Sequence, residues 1–480
     1  MLLSLSTILT LWWVTVAAQA SGQIEWHTTS RDLEYKLSKR EPLQFSSPVR
    51  SPSAVSSTGV QTVVVDENKK FQTIFGIGSS LESSTCHNLM RMTEADRSDT
   101  LKKLLDPQDG IGMSLMRITV ATSDFCPLPF YSYDDSEYPD ESLSGFSISK
   151  DEDFILPVLR DAAKKYTAGP DGLRFFASTW SPPAWMKTTN TLQGGRYNTA
   201  YFPHYAQYIL KFINAYRNEG IEVAGLTPQN EPLQNEDTYP TTLLLPEEEA
   251  ELIRDHLGPL LQDPSNNCTT SIWCFDHNFK TLFYPETVLK DSEAKKYVSG
   301  TAFHNYGGRA SAMSELHDAY PDKDIFFSEG STFGVRGAAQ IVAIFRNWAT
   351  TYNAWVTMLD SNLEPNAGPF KPSPTMIELD AATLKPTYRF EYYMYGQFSK
   401  FIRRGAVRIE TTSGVENEDE NEDGKQLAHV GFINTSDNKR VLVVVNEFDY
   451  ATSLVIQWRG MEATASLSPA SVNTFVWEEE

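Results

Sequence analysis

The stretch Leu226-Thr227-Pro228-Gln229-Asn230-Glu231-Pro232 is the part of the chain that decides its fold. It closes the short apolar run 223–226 and places an amide beside a carboxylate where that run gives way to a loop bounded by prolines. A carboxylate is costly to remove from water, so a glutamate at the end of a buried strand needs a reason. We interpret Glu231 as a catalytic acid that ends one strand of a parallel sheet.

Outward from this stretch, short apolar runs alternate with longer segments of helical periodicity between residues 70 and 390. Such alternation is typical of parallel strands joined by crossover helices, and eight strands are the number that closes a (β/α)8 barrel. A convincing helix covers 205–216, where apolar residues recur every three or four positions. The predicted strands are 75–79, 113–120, 174–180, 223–227, 271–276, 300–304, 324–328 and 354–359.

The fold class predicted from this pattern is α/β, a (β/α)8 TIM barrel with an appended antiparallel β-sandwich. The predicted domains are a catalytic barrel over 70–390 and a C-terminal sandwich over 391–480, where the runs 406–409, 427–433, 441–445, 453–458 and 471–477 have β-type alternation. An N-terminal segment, 21–69, partly joins the sandwich through a strand at 61–66. The acidic run 416–423 cannot bury itself and is predicted to be an exposed loop.

Residues 1–20 contain a long apolar run, 2–18, and end in the small-residue pattern Ala18-Gln19-Ala20, which is typical of a secretory signal peptide cleaved after Ala20. An uncleaved membrane anchor is the alternative, because no Lys or Arg precedes the apolar run. We therefore expect a secreted, extracellular protein without stable membrane insertion, and a lysosome-like compartment is the second expectation. The sequons at Asn267 and Asn434 are consistent with export.

The charge and the cysteines narrow the function classes further. A formal charge of −21 repels phosphate backbones, so no nucleic-acid partner is expected. The four cysteines allow two bridges, Cys268 with Cys274 and Cys86 with Cys126, but free buried thiols are an equally good interpretation. The sequence leaves the oligomeric state open.

Reactive groups of such a barrel lie at the carboxyl ends of its strands. Two isolated carboxylates occur there, Glu231 after the fourth strand and Glu329 after the seventh, with tryptophan and tyrosine residues at neighbouring ends. Cleavage of a glycosidic bond needs one protonated and one ionised carboxyl group across such a pocket, and a separation of roughly 5 Å predicts retention of configuration. Arg117 would keep Glu329 ionised, and Asn230 could donate to a sugar hydroxyl.

Each of these residues also has an ordinary structural interpretation. A glutamate at a strand end can be a surface or capping residue, Trp180 and Trp185 can be core residues, and His304 can be a satisfied buried histidine. No histidine spacing typical of a metal centre and no serine nucleophile elbow occurs, so neither a metal nor a cofactor is expected.

Taken together, the motifs resemble glycoside hydrolase family 30, a group of retaining β-glycosidases with a barrel and a β-sandwich. The motifs that carry the resemblance are Met116-Arg117-Ile-Thr-Val-Ala-Thr-Ser-Asp124-Phe, Ser178-Thr-Trp180-Ser-Pro-Pro-Ala-Trp185-Met-Lys187, Thr227-Pro-Gln-Asn230-Glu231-Pro, His304-Asn-Tyr306, Ser328-Glu329-Gly and Gln397-Phe-Ser-Lys-Phe-Ile402. The resemblance implies that Glu231 is the acid/base and Glu329 the nucleophile. It further implies substrate binding by Asp124, Trp180, Asn230 and Trp355, supported by Arg117, His304 and Tyr306.

Two branches of the family compete for this chain. The segments Tyr131-Ser-Tyr-Asp-Asp135, Trp273-Cys-Phe-Asp276-His277-Asn278 and Tyr284-Pro-Glu-Thr-Val-Leu289 are similar to secreted endo-β-1,6-glucanases, which we favour, whereas 293–300 also resembles the glucosylceramidases. The expected substrate is therefore a β-glucan or another β-glucoside, with a non-catalytic carbohydrate-binding protein as a further alternative. The segment Phe75-Gly-Ile-Gly-Ser-Ser-Leu-Glu82 departs from the family pattern and leaves the role of Glu82 open.

Overall fold

The structure is a computed structural model that describes residues 22–48, 60–370, 375–413 and 427–479. The predicted signal peptide and the acidic run 416–423 lie outside these residues. Within the described ranges, no helix has the length and apolar character that a membrane span requires.

Eight parallel strands form the barrel, which confirms the predicted fold class. Neighbouring strands pair in chain order, and the sheet closes through bridges from Ile325 to Ala349 and from Gly330 to Ala354. The barrel strands are Gly76–Ser80, Leu115–Val120, Arg174–Thr179, Val223–Thr227, Ser271–Asn278, Val298–His304, Asp324–Glu329 and Thr351–Asn353.

The α-helices within the described residues lie mainly between the barrel strands. Their bounds are Ser83–Arg91, Glu94–Leu105, Ile155–Tyr166, Phe202–Asn218, Pro246–Glu251, Gly258–Gln262, Phe283–Lys290, Ser292–Lys295, Ser311–Ala319, Gly334–Arg346 and Phe390–Ser399.

The position of the eighth strand was wrong in the sequence prediction, which placed it at 354–359. The barrel strand is Thr351–Asn353, and Met358–Asp360 belongs to a separate sheet with Ile377–Leu379 and Pro386–Tyr388. Trp355, Val356 and Leu359 of the predicted strand are apolar for another reason, because they pack at the barrel mouth in a cluster with Phe125, Trp180 and Tyr239. The apolar run that predicted a barrel strand thus corresponds to a buried loop, 354–357, and to the start of a strand outside the barrel.

Two layers of side chains fill the inside of the barrel. The lower layer is apolar and consists of Leu115, Phe176, Trp273, Ala302 and Phe326. Because side chains two residues apart on a strand share a face, the next inward position on these strands lies one layer higher. That upper layer is polar, and it includes Arg117, Ser178, His304 and Ser328.

Gly225 makes room for the largest side chain of the lower layer. A Cβ atom at Gly225 would lie 2.5 Å from the Trp273 ring, which itself stacks on Phe326 with centroids 3.9 Å apart. The absence of a side chain in the fourth strand thus allows the aromatic layer that supports the polar layer above it.

The sandwich is a largely antiparallel sheet of ten strands among the described residues, folded over a core that includes Trp458 and Trp477. The strand predicted at 61–66 is part of Val60–Thr73, which pairs with Val407–Thr412 and Thr452–Trp458. The sequence prediction missed Gln23–Ser30 and Met461–Leu467. The strands are Gln23–Ser30, Ser38–Lys39, Leu43–Gln44, Val60–Thr73, Val407–Thr412, Leu427–Ile433, Arg440–Asn446, Thr452–Trp458, Met461–Leu467 and Ser471–Trp477.

All four cysteines lie within the described residues, and each is a free thiol. Cys86, Cys126 and Cys274 are buried, and Cys268 is partly exposed. The thiols of Cys86 and Cys126 donate to nearby backbone carbonyls instead of pairing. The two disulfides considered from the sequence are therefore absent, and the free-thiol interpretation is right.

Candidate active site

A cavity of about 540 Å³ opens at the carboxyl ends of the barrel strands. The structure brings all of the predicted site residues to this place, either on the cavity wall or directly beneath it. Arg117 and His304 are fully buried below the cavity. The predicted residues on its wall are Asp124, Trp180, Asn230, Glu231, Tyr306, Glu329 and Trp355.

The backbone after the fourth strand presents Glu231 to the cavity. Asn230 N–H donates to the carbonyl of Thr179 at 2.7 Å, and Glu231 N–H donates to the carbonyl of Asp276 at 3.0 Å. Glu231 adopts a left-handed conformation with φ of 46°, which is uncommon for a residue with a side chain and marks a constrained site. These hydrogen bonds join the loop to the third and fifth strands, so the backbone that carries the Glu231 carboxyl group is held in place.

Arg117 organises the polar layer beneath the cavity. Its guanidinium donates to the Glu329 carboxylate, to Asn230 Oδ1 at 2.7 Å, to Asp276 Oδ2 at 2.9 Å and to Ser178 Oγ at 3.0 Å. The side chain is fully buried, so the guanidinium charge needs these anionic partners. The Arg117 guanidinium therefore fixes the position of the Glu329 carboxylate relative to the Asn230 side chain, which is adjacent to Glu231.

Two tryptophans cover this guanidinium and form an apolar surface in the cavity. The rings of Trp180 and Trp355 stack with centroids 5.2 Å apart, and Arg117 Cζ lies 4.8 and 5.2 Å from the respective centroids. Flat apolar rings beside polar groups suit the C–H face of a sugar. Trp185 lies elsewhere, buried against Tyr201.

Asp276 is the central anion of the site, although the sequence interpretation gave it no role beyond its place at a strand end. Burial raises the pKa of its carboxyl group, but the charges of Arg117 and His304 outweigh burial and hold that pKa well below its usual value. The donors to Asp276 are Arg117 at 2.9 Å, Ser178 at 3.0 Å, Thr227 at 2.6 Å, His304 at 3.0 Å and Ser328 at 2.5 Å.

Asp276 points inward because the fifth strand loses its regular alternation at this point. Phe275 and Asp276 have φ values of 78° and 56°, and the pairing with the sixth strand shifts register there. The buried Glu249 carboxylate accepts the Phe275 N–H at 3.2 Å. Strict alternation from Trp273 would have placed Phe275 inside, so sequence periodicity could not have found Asp276.

His304 links the two predicted catalytic carboxylates. Its Nδ1 lies 3.2 Å from Glu231 Oε1, and its Nε2 lies 3.0 Å from Asp276 Oδ1 and 3.8 Å from Glu329 Oε2. Burial lowers the pKa of His304, but the negative charges of Glu329 and Asp276 outweigh burial and raise that pKa to about 10. His304 is therefore an imidazolium cation at neutral pH, with both nitrogens donating.

His277 is a second histidine at Glu231 that the sequence interpretation left without a role. Its Nδ1 lies 3.3 Å from Glu231 Oε1, the same oxygen that His304 approaches. Burial raises the pKa of Glu231, but the contacts with His277 and His304 outweigh burial and lower it below its usual value. Glu231 is thus ionised in the free protein, with Oε1 occupied by the two imidazoles.

Glu231, His277 and His304 are also a candidate metal-binding group, since their ligand atoms lie within 4.8 Å of one another. A metal needs a neutral imidazole, whereas His304 is cationic and donates to Asp276. The chemistry of these donors therefore fits a hydrogen-bond network better than a metal centre.

Asp124 and Tyr306 complete the wall of the cavity. Tyr306 donates its hydroxyl proton to Glu329 Oε1 at 2.8 Å. Burial, reinforced by the negative charge of Glu329, raises the pKa of Asp124 to about 8. Asp124 is thus protonated at neutral pH and can donate to a sugar hydroxyl.

Glu82, whose role the sequence left open, is a buried helix cap. It precedes helix Ser83–Arg91 and accepts from Thr85 N–H at 2.8 Å and from Thr85 Oγ1 at 2.7 Å. This is the arrangement that stabilises a helix N-terminus. Glu82 does not line the cavity.

Comparison with known proteins identifies the class and the family. Residues 74–402 match the Glycosyl hydrolase family 30 TIM-barrel domain, and residues 405–475 match the Glycosyl hydrolase family 30 beta sandwich domain. The chain is a glycoside hydrolase. It belongs to glycosyl hydrolase family 30, as the motif resemblance predicted.

Relatives in this family include proteins named as endo-1,6-beta-D-glucanases and proteins named as glucosylceramidases. An endo-1,6-beta-D-glucanase of Neurospora crassa is 31% identical, with 93% of each chain covered. The lysosomal acid glucosylceramidase of Mus musculus is 28% identical, covering 88% of this chain and 85% of that one. A solved endo-beta1,6-glucanase superposes with a TM-score of 0.83 at 27% identity, covering 95% of this chain and 100% of that one.

Proposed function

We propose that this protein is a secreted endo-β-1,6-glucanase that hydrolyses its substrate with retention of configuration. The observation that carries the proposal is the single buried network that joins Glu231 to Glu329. Arg117 contacts Asn230, next to Glu231, and also contacts Glu329. His304 contacts Glu231 itself and also Glu329. Two carboxyl groups held in fixed relation above an aromatic surface are what glycosidic bond cleavage needs.

In the first step, Glu329 attacks the anomeric carbon and forms a covalent glycosyl ester. Arg117 and Tyr306 hold the two oxygens of Glu329, so the attacking lone pair has a defined direction. Glu231 gives its proton to the leaving oxygen as the glycosidic bond breaks. The leaving sugar departs as a neutral alcohol.

In the second step, Glu231 removes a proton from water, and the hydroxyl oxygen attacks the anomeric carbon from the face that the leaving group vacated. The ester to Glu329 breaks, and its carboxylate is regenerated. Glu231 is ionised in the free protein, because its pKa lies below the usual value, and the ionised form is the one that can accept this proton. For the acid role, a bound sugar must exclude water from the carboxylate, which raises its proton affinity.

Both contacts from the histidines to Glu231 reach Oε1. The proton that moves in the two steps is therefore assigned to Oε2. Asp124, in its protonated form, and Asn230 are assigned to the hydroxyls of the glucosyl unit that is attacked, and Trp180 and Trp355 to its apolar face. His304 is assigned a positioning role.

The choice of a β-1,6-glucan rests on the relatives named endo-1,6-beta-D-glucanase and on the solved endo-beta1,6-glucanase. Glucosylceramide is the second candidate substrate, supported by relatives named glucosylceramidase. Exposed apolar side chains also favour this candidate, since Phe370 lines the cavity and Leu128 follows Asp124 on one loop, with 57% and 68% of their surfaces exposed. Export through the N-terminal segment remains part of the proposal.

The test compares β-1,6-glucan with glucosylceramide in one assay, using the wild type and the variants Glu231→Gln and Glu329→Gln. We expect release of glucose oligosaccharides from the glucan, with losses of about 10²–10⁴-fold or more in both variants. Glu222→Gln is the matched control, because the Glu222 side chain is 65% exposed at the opposite end of the fourth strand. Hydrolysis of the lipid alone would refute the glucanase, and near-normal turnover in either variant would refute the catalytic pair.

A further inference from the structure

We propose that Gln234, Tyr239 and Phe370 form a leaving-group subsite, which binds the glucosyl unit on the far side of the bond that is cleaved. All three line the same cavity as the catalytic pair, and the sequence interpretation gave none of them a role. The proposal rests on the proposed function, because it requires Glu231 to protonate the leaving oxygen. It adds the residues that recognise the sugar attached to that oxygen.

The position of Glu231 decides where this sugar lies. The leaving oxygen must come within hydrogen-bond reach of the Glu231 carboxyl group, so the sugar that carries it rests against the loop following Glu231. That loop turns tightly, with Gln234 N–H donating to the Glu231 carbonyl at 2.7 Å. Gln234 and Tyr239 are therefore the cavity-lining residues of the loop nearest to the leaving group.

Tyr239 connects the tryptophan surface to the outer part of the cavity. It is 4% exposed and packs in one apolar cluster with Trp180 and Trp355. Burial raises the pKa of its hydroxyl, and the negative charge of Glu231 raises it further. Its proton therefore remains available to a sugar hydroxyl at any working pH.

Phe370 extends this row of rings to the mouth of the cavity. Its centroid lies 6.2 Å from that of Tyr239 at an interplanar angle of 76°, and 57% of its surface is exposed. The loop that carries it is anchored, because Ala367 N–H donates to the Asp124 carbonyl at 2.8 Å and Asn366 Nδ2 donates to the Phe370 carbonyl at 3.0 Å. The Phe370 ring is therefore exposed in the cavity on an anchored loop. Such a ring is suited to bind the apolar C–H face of a sugar.

The chemistry of the three residues fits a glucosyl unit that is attached through its C6 atom. In a 1,6-linkage a methylene group separates the leaving oxygen from the next sugar ring, and its extra torsion lets that ring turn its C–H face toward Tyr239 and Phe370. The Gln234 amide and the Tyr239 hydroxyl then bind sugar hydroxyls. Gln234 Nε2 donates to Glu236 Oε1 at 3.3 Å. An alkyl chain could use the two rings but would take the rest of the Gln234 amide out of water without offering it a hydrogen bond, which is unfavourable.

The test measures kcat/KM on a β-1,6-linked glucose oligosaccharide, on octyl β-glucoside and on β-glucosyl fluoride. The fluoride carries no leaving sugar, so it reports on the attacked glucosyl unit alone. For Phe370→Ala and Gln234→Ala, we expect the ratio of the oligosaccharide value to the fluoride value to fall about tenfold. Tyr450→Ala is the matched control, since Tyr450 is an equally exposed aromatic residue of the sandwich, and its ratio should not change.

An unchanged ratio in both cavity variants would overturn the subsite. A loss confined to octyl β-glucoside would assign the rings to an apolar leaving group and would overturn it as well. If the wild type fails to cleave β-glucosyl fluoride, the proposed function itself is refuted, and the subsite falls with it.

Discussion

Replacing Asp276 by Asn tests whether one buried anion holds the two halves of the active site together. The substitution keeps the shape of the side chain and removes its charge. Ser178, Thr227 and Ser328 can reverse their hydroxyls to suit an amide, but the Arg117 guanidinium and the His304 imidazolium can only donate. Whichever way the new amide is turned, one of these two cations loses its acceptor.

The magnitude follows from the burial of the group, because the Asp276 and Arg117 side chains are both 0% exposed. Removing one partner of a buried, hydrogen-bonded ion pair costs about 3–5 kcal/mol, so we expect the free energy of unfolding to fall by that amount. The pKa of His304, about 10 in part because of Asp276, should also fall. The imidazole then becomes a poorer donor to Glu231, and kcat/KM should fall about 10²-fold or more.

The assays are urea unfolding and hydrolysis of a β-1,6-linked glucose oligosaccharide. Glu67→Gln is the control, because Glu67 is a buried carboxylate that pairs with Arg440 at 2.7 Å in the sandwich, away from the cavity. It should reduce stability while leaving kcat/KM within about twofold of the wild type. An Asp276→Asn variant within about 1 kcal/mol of wild-type stability and with near-normal kcat/KM would refute the role given to this anion.

Three further predictions concern single positions. Burial raises the pKa of Glu82 to about 7. The protonated carboxyl group therefore stabilises the folded state fully below about pH 4.5, and this contribution is lost as the pH rises to about 7. Urea unfolding of Glu82→Gln should show a pH dependence smaller by up to about 3 kcal/mol. His277→Asn should raise the pKa of Glu231, because a contact that lowers this pKa is lost. The corresponding limb of the pH–rate profile should move upward by about one unit for the oligosaccharide. It should not move for β-glucosyl fluoride, whose leaving group needs no proton. Gly225→Ala should cost about 1–3 kcal/mol in urea unfolding, because its Cβ would meet the Trp273 ring, and an unchanged midpoint would contradict the packing of the lower layer.

The sequence was sufficient to predict the barrel because most of its strands are apolar runs that end in polar or small residues. The strand order also predicted that the site residues lie close together, since the carboxyl ends of the parallel strands all lie at one end of the barrel. It misplaced the eighth strand, where Trp355, Val356 and Leu359 are apolar because they pack at that mouth. Hydrophobicity reports burial and does not distinguish a strand from a buried loop.

Two features of the site are visible only in three dimensions. The inward turn of Asp276 depends on two consecutive left-handed residues, which no alternation pattern reveals. The lowered pKa of Glu231 depends on which atoms of His277 and His304 face it. The triplet Asp276-His277-Asn278 was visible as a polar strand end, but its contacts with the fourth and sixth strands were not.

The most direct test of the mechanism is to find which carboxyl group becomes attached to the sugar. A 2-deoxy-2-fluoro-β-glucosyl fluoride forms the covalent intermediate and slows its hydrolysis, so the labelled peptide can be isolated after digestion and identified by mass spectrometry. The double-displacement mechanism predicts one sugar on Glu329, in the peptide containing Phe326-Phe327-Ser328-Glu329. A sugar attached to Glu231, or to any other residue, would contradict the assignment of nucleophile and acid/base.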